Sequence, residues 1–195
     1  QAIFLLGSLF FQIKNYHDAV KMLIKAINMQ PKNIIVYQNL GAALVEVGEF
    51  KKAIEVLNKA STIKSNHEGI LYNLGNAYKG IGEFDKAANC YEDVIKLNAK
   101  NTKAYNNLGS VLKQLRKSEK ALEAFKKALA IQPKHINANH NIANVYKELG
   151  KFEKSKEFYK KSFDFSSNLE SLYALSELDI QTLDQDTKNK INKII

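Results

Sequence analysis

Apolar residues recur along this chain at spacings of three and four, in runs of about a dozen residues separated by short polar turns. In one stretch, Ala104, Leu108, Val111, Leu112 and Leu115 form a stripe, and Ala121, Leu122, Phe125, Ala128 and Leu129 form the next. That spacing predicts helices with one face in a core. The stripes themselves repeat. Gly7, Gly41, Gly75 and Gly109 stand 34 residues apart, and the next step lands on Ala143. Leu6, Leu40, Leu74, Leu108 and Ile142 precede them. A second row runs Ala19, Ala53, Ala87, Ala121 and Ser155, and a third, larger one runs Leu23, Leu57, Tyr91, Phe125 and Tyr159. The two prolines, Pro31 and Pro133, are three periods apart. Several independent rows in one register define an internal repeat.

Each copy predicts a helical hairpin. Gly48, Gly82 and Gly150 follow the first helix where a left-handed cap is expected, and Tyr16, Phe50, Phe84 and Phe152 open the second. The small rows are expected where the two backbones approach, with glycine on the first helix facing alanine on the second. A larger side chain there would cost on the order of 1–3 kcal/mol through overpacking.

The stretches Tyr105-Asn-Asn-Leu-Gly109, Ala121-Leu-Glu-Ala-Phe125-Lys-Lys-Ala128 and Asn73-Leu-Gly-Asn-Ala-Tyr78, with Pro133, resemble the tetratricopeptide repeat consensus. The resemblance implies an all-α fold, an α-solenoid winding as a right-handed superhelix, built of about five hairpins. The repeats would be 1–33, 34–67, 68–101, 102–135 and 136–169, with 170–195 a degenerate repeat or capping helices. Departures are Ala143, Ser155 and Ser162 in the last copy, and Arg116 and Ser118 in place of the usual glycine and aromatic. At the C-terminal end Asp184 is placed to cap a helix running to Ile195 that carries Lys188, Lys190 and Lys193. At the other end, Gln1 falls inside a helix. Residues 1–13 are apolar on almost all sides, which fits either an interior repeat of a longer protein or a self-association face.

Composition narrows the function. The 195 residues are 45% hydrophobic and 25% charged, which excludes disorder, and no apolar run approaches the roughly 20 residues a membrane span needs. The single cysteine, Cys90, excludes an internal disulfide framework and permits a reducing, cytoplasmic compartment. The formal charge of +9 is local: residues 102–163 carry 14 basic and 5 acidic side chains. Many of those lysines fall on second helices and turns. Nucleic acid is disfavoured because Arg116 is the sole arginine, so bidentate phosphate and base contacts are almost absent.

First helices line the concave face in this architecture, and the candidate site is read there. Counting from residues 34, 68, 102 and 136, the sixth position is Asn39, Asn73, Asn107 and Asn141, an unbroken column. Asn76 and Asn144 add to it at the ninth position. An asparagine offers an acceptor and two donors and can bond both C=O and N–H of an extended peptide. The column resembles the asparagine ladder in the repeats of the O-linked N-acetylglucosamine transferases. Lys79, Lys113 and Lys147 recur at the twelfth position, two helical turns beyond Tyr72, Asn106 and His140, which predicts a cationic line favouring an acidic segment. The carboxylate clamp of this family does not fit, since no basic residue occupies the sixth position. His17, His67, His135 and His140 lack paired ligand spacing, and no glycine-rich phosphate loop is present, so no metal, cofactor or catalytic group is expected. The expectation is a non-enzymatic scaffold whose partner is a protein segment, extended and acidic, bound along the groove. The alternative is the substrate-recruiting arm of a larger glycosyltransferase or sulfotransferase, because the run Leu172-Tyr-Ala-Leu-Ser-Glu-Leu178 also resembles the passage into a catalytic domain of the latter kind.

Overall fold

A computed structural model describes residues 2–166 and 169–179, and the proposed helix after Asp184 lies outside them. The described residues form eleven helices and no strand: α1 (Ala2–Gln12), α2 (Tyr16–Met29), α3 (Ile34–Glu46), α4 (Phe50–Ile63), α5 (Glu68–Gly80), α6 (Phe84–Leu97), α7 (Thr102–Gln114), α8 (Ser118–Ile131), α9 (Ile136–Glu148), α10 (Phe152–Ser166) and α11 (Leu169–Asp179). The first helices α3, α5, α7 and α9 start 34 residues apart, as the hydrophobic rows do. None of the described helices is long and apolar enough to cross a membrane.

Contacts divide the chain into two compact units, residues 1–104 and 105–195. In the first, Leu23, Val36, Leu40, Leu57, Ile70 and Leu74 build a continuous core, with Ala19 and Ala53 wholly buried beside them. In the second, Ala143, Tyr159, Phe163, Ala174 and Leu175 form a cluster that joins α9 and α10 to α11.

The packing within a hairpin differs from the expected pairing of glycine on alanine. Each glycine of the first row, Gly7, Gly41, Gly75 and Gly109, lies beneath the large third-row side chain of its own second helix. A Cβ added to Gly75 would sit 2.6 Å from Tyr91 Cε1, and one on Gly109 2.6 Å from Phe125 Cε1. Leu23 covers Gly7, and Leu57 covers Gly41 more closely still. The missing methyl group thus makes room for a ring or a branched chain, and that large residue is buried completely. In the last hairpin the serine substitution is satisfied, because Ser155 Oγ donates to the Ala143 carbonyl at 2.8 Å.

The turns obey one rule. Residues 14, 48, 82, 116 and 150, one period apart, all take positive φ: Lys14 61°, Gly48 79°, Gly82 80°, Arg116 59° and Gly150 69°. After each, the next residue's N–H reaches back five positions, as from Glu49 to Leu44 O at 2.9 Å and from Lys117 to Leu112 O at 2.9 Å. These are Schellman caps. Glycine reaches this region freely, whereas a Cβ costs roughly 1–2 kcal/mol.

Arg116→Gly should therefore raise stability by up to about 1 kcal/mol, since relief of strain outweighs the added freedom of the unfolded chain. Gly75→Ala should lower it by about 1–3 kcal/mol, because Tyr91 cannot withdraw from a full core. Chemical denaturation of the two variants beside the parent checks both signs.

Candidate functional site

The predicted site residues lie on first helices, and the structure gives most of them partners within the chain. In the first unit, Asn39 Nδ2 on α3 donates to Ser8 Oγ on α1 at 3.1 Å, and Asn73 Nδ2 on α5 donates to the Gln38 carbonyl on α3 at 3.2 Å. In the second unit Asn141 Nδ2 on α9 donates to Asn106 Oδ1 on α7 at 3.1 Å. The sixth-position amide is therefore a staple from one first helix to the preceding one. Asn107 occupies the same position on α7 and is half-buried. In Asn39, Asn73 and Asn141 the nitrogen is engaged, while the oxygen accepts from no described residue and is not sealed from solvent. An anchored amide with an open acceptor can receive an N–H from an extended chain without first being ordered, which lowers the entropic cost of binding.

The ninth-position asparagines do something else. Tyr91 Oη donates to Asn76 Oδ1 at 2.7 Å, and Tyr159 Oη donates to Asn144 Oδ1. Each satisfies the hydroxyl of a tyrosine otherwise lost in the core, which would be costly to leave unpaired. Where the third row is Leu57 or Phe125, the ninth position is Ala42 or Ser110. Asn76 and Asn144, expected to add to the column, thus each have one acceptor site of the oxygen engaged by a tyrosine. The 15-residue Asn–Tyr spacing, present twice and absent from the other copies, is the signal that carried this.

The lysines of the expected cationic line differ in their partners. Lys113 pairs with Glu148 at 3.0 Å, and Lys147 pairs with Glu177 at 2.6 Å. Lys147 is held above the usual lysine value by its hydrogen bond to Glu177, and Glu177 is held below the usual carboxylate value by the same contact. Lys79, half-buried on α5, has no carboxylate partner among the described residues, and burial pushes its ammonium pKa down. The twelfth-position charges are thus unequal.

Two cavities border these residues. The first unit holds one of about 590 Å³, lined among others by Gln38, Lys64, Glu68, Tyr72, Asn101 and Lys103. Tyr72 meets Tyr91 edge-on with ring centroids 5.9 Å apart. Glu68 Oε1 accepts from Asn98 and Asn101, which fixes its carboxylate at the wall. Gly69 lies under the Gln38 amide, where a Cβ would come within 2.5 Å. The second unit holds a cavity of about 500 Å³ lined by His140, Asn144, Lys147, Glu170, Tyr173 and Glu177, among others. His140 lies edge-on to Tyr159 at 5.3 Å, and its Nδ1 is 2.8 Å from Ser171 Oγ. Burial lowers the imidazole pKa, more than the nearby Glu170 raises it. Sequence reasoning missed Glu177, Ser171 and Tyr173, which lie on α11 where the 34-residue rows fade.

Residues 1–33, 70–101 and 101–168 match models described as tetratricopeptide repeat, and residues 43–82 match one described as TPR repeat. No curated protein matches the chain. Among solved structures, MamA is 26% identical with a TM-score of 0.72, over 83% of this chain and 94% of that one. YrrB, described as a TPR protein with an unusual peptide-binding site, is 21% identical with a TM-score of 0.70, over 88% and 89% of the two chains. TTC0263 from Thermus thermophilus, described as a thermophilic TPR protein, is 18% identical with a TM-score of 0.75, over 91% and 97%. The last two likenesses concern the fold.

Burial of His140 and His135 has a pH signature. Both imidazoles have a folded pKa below the ordinary 6.5, with burial the main cause. On acidification through that value the unfolded chain takes up protons before the folded one, so stability present above about pH 6.5 is lost as the pH falls. Glu177 protonates in a lower window, below its usual 4.5, and leaves this range undisturbed. The melting temperature should fall between pH 7.5 and 5.5, and His140→Gln should flatten part of that slope, as thermal melts across the range will read.

Proposed function

For a chain that belongs to the tetratricopeptide repeat family, we propose a non-enzymatic scaffold role in which an extended peptide segment lies along the first-helix face of each unit. The observation that carries the reading is the anchored column. Asn39, Asn73 and Asn141 each spend the amide nitrogen on the preceding first helix and keep an oxygen for an incoming N–H. Asn107 stands at the same position of its repeat and is read as the fourth member. Such a column recognises backbone, and side-chain preference has to come from its flanks.

In the first unit those flanks favour acidic residues. Lys79 has no carboxylate partner among the described residues, and Lys64 and Lys103 line the 590 Å³ cavity with Tyr72 and Gln38 against one anchored carboxylate, Glu68. Lys113 and Lys147 contribute less to that preference, because each already faces a glutamate. A desolvated ammonium with no partner gains most from an arriving carboxylate.

A peptide array probed with the intact chain, followed by titration of the strongest peptides, tests the reading. Alanine at Asn73, Asn107 and Asn141 together should weaken those peptides at least tenfold. Lys79→Met should selectively weaken the acidic ones. Binding unchanged by the triple substitution would exclude the column as the recognition element.

A further inference from the structure

We propose that a second copy of this chain covers α1, the two helices lying antiparallel about a two-fold axis between Leu6 and Leu9. The contact uses a different stripe of α1 from the peptide face and is independent of the peptide reading. Ala2, Leu6 and Leu9 fall on one side of the helix, and Ile13, whose N–H donates to the Leu9 carbonyl at 3.0 Å, continues the stripe. All four are exposed, Leu6 by 41% and Leu9 by 51%. One period later the first three positions are closed. Val36 and Ala43 are wholly buried and Leu40 is 3% exposed, in a helix that packs on α2.

An ordinary repeat stacked on α1 would meet the wrong residues. Leu5 occupies the sixth position, where Asn39 and Asn73 donate to the first helix before them, and a leucine side chain has no proton to give. Leu9 occupies the position of Ala43, Ala77, Val111 and Val145, each wholly buried. A leucine beneath a hairpin stacked at that spacing overfills the contact. This face is as apolar as a covered one, yet it lacks the amide and the small residue with which the later first helices accept a neighbour in register.

The stripe does match itself. The steps from Ala2 to Leu6, Leu9 and Ile13 are four, three and four residues, an order that reads the same in both directions. Such spacing is that of an apolar seam between paired helices. In an antiparallel pair Leu6 of one copy faces Leu9 of the other, and the small Ala2 faces the large Ile13. A two-fold axis needs this self-complementarity, since each contact occurs twice. A parallel pair would set Ala2 on Ala2 and Ile13 on Ile13 and would align the helix dipoles unfavourably. Charge does not oppose association, because no ionic side chain occurs from Ala2 to Ile13. Ser8, within the same stretch, is already engaged by Asn39. A seam of a few side chains is smaller than the roughly 20–30 residues a side of a standard interface, so the dimer is a reversible one.

Sedimentation equilibrium of the intact chain, at concentrations up to about 100 µM, tests the pairing. The expected result is a monomer–dimer equilibrium. Leu6→Glu and Leu9→Lys each bring a charge into the seam and should each weaken association at least tenfold. Mixed in equal amounts, the two variants should associate severalfold more tightly than either does alone. The antiparallel pair then sets the new carboxylate against the new ammonium and leaves one Leu6–Leu9 contact whole. Because misfolded chains would not regain association on mixing, that rescue separates a lost seam from a lost fold. A parent chain that stays monomeric throughout would overturn the proposal and leave the face to a further hairpin or a different protein. Dimers indifferent to both substitutions would overturn it too. So would single-variant losses that mixing does not relieve, the result a parallel pair or unspecific adhesion would give.

Discussion

Each glycine-bearing hairpin of this protein depends on one missing methyl group. Gly7, Gly41, Gly75 and Gly109 leave the space into which Leu23, Leu57, Tyr91 and Phe125 descend, and those side chains are the largest wholly buried groups of their second helices. Because the third-row residue is fixed against the glycine, its far end meets the ninth position of the first helix. A tyrosine there requires a polar partner and finds Asn76 or Asn144, whereas leucine and phenylalanine are accompanied by Ala42 and Ser110. The ring positions then propagate outward: Tyr91 meets Tyr72 and Tyr159 meets His140, each edge-on. Residues that border the two cavities are thus oriented by a contact in the core.

The proposed role of the asparagine column joins stability to recognition by dividing one functional group. An amide nitrogen used between successive first helices aligns the helices and also immobilises the oxygen of the same side chain. On the proposed reading a substitution at these positions alters both helix alignment and binding, unlike one at Lys79, which has no carboxylate partner among the described residues.

Helices, turns and hairpin pairing were legible in the sequence because each depends on residues at most one period apart. The positive-φ row shows the limit of that legibility. Gly48, Gly82 and Gly150 announce it, but Lys14 and Arg116 adopt the same conformation without a glycine, held by the cap bonds that follow. The role of the glycine row was misassigned to alanine because spacing reveals that a position is small, not which neighbour fills the space. The candidate site was legible as a column of residue types and not as a pattern of unspent hydrogen-bonding capacity. Lys79, Lys113 and Lys147 are identical in the repeat register, and what separates them is whether a glutamate 30 or 35 residues later comes within 4 Å. Glu177 lies on a helix that has left the register, so periodicity carried no information about it.

A formal charge of +9 predicts an attraction for acidic partners only if the charges act together, and they do not. Near the first helices of the second unit Lys113 and Lys147 are each answered by a carboxylate, while Lys154 and Lys161 lie over the rings of Tyr146 and Phe158. At physiological ionic strength an exposed charge acts over roughly 8 Å, so a lysine on a second helix does little for a ligand beyond that range. Net charge therefore bears on how the molecule meets others in solution, and selectivity is set by the few ionic groups within reach of a seated side chain. By that measure Lys79, which has no carboxylate partner among the described residues, stands to gain more from an acidic group than the paired Lys113 or Lys147.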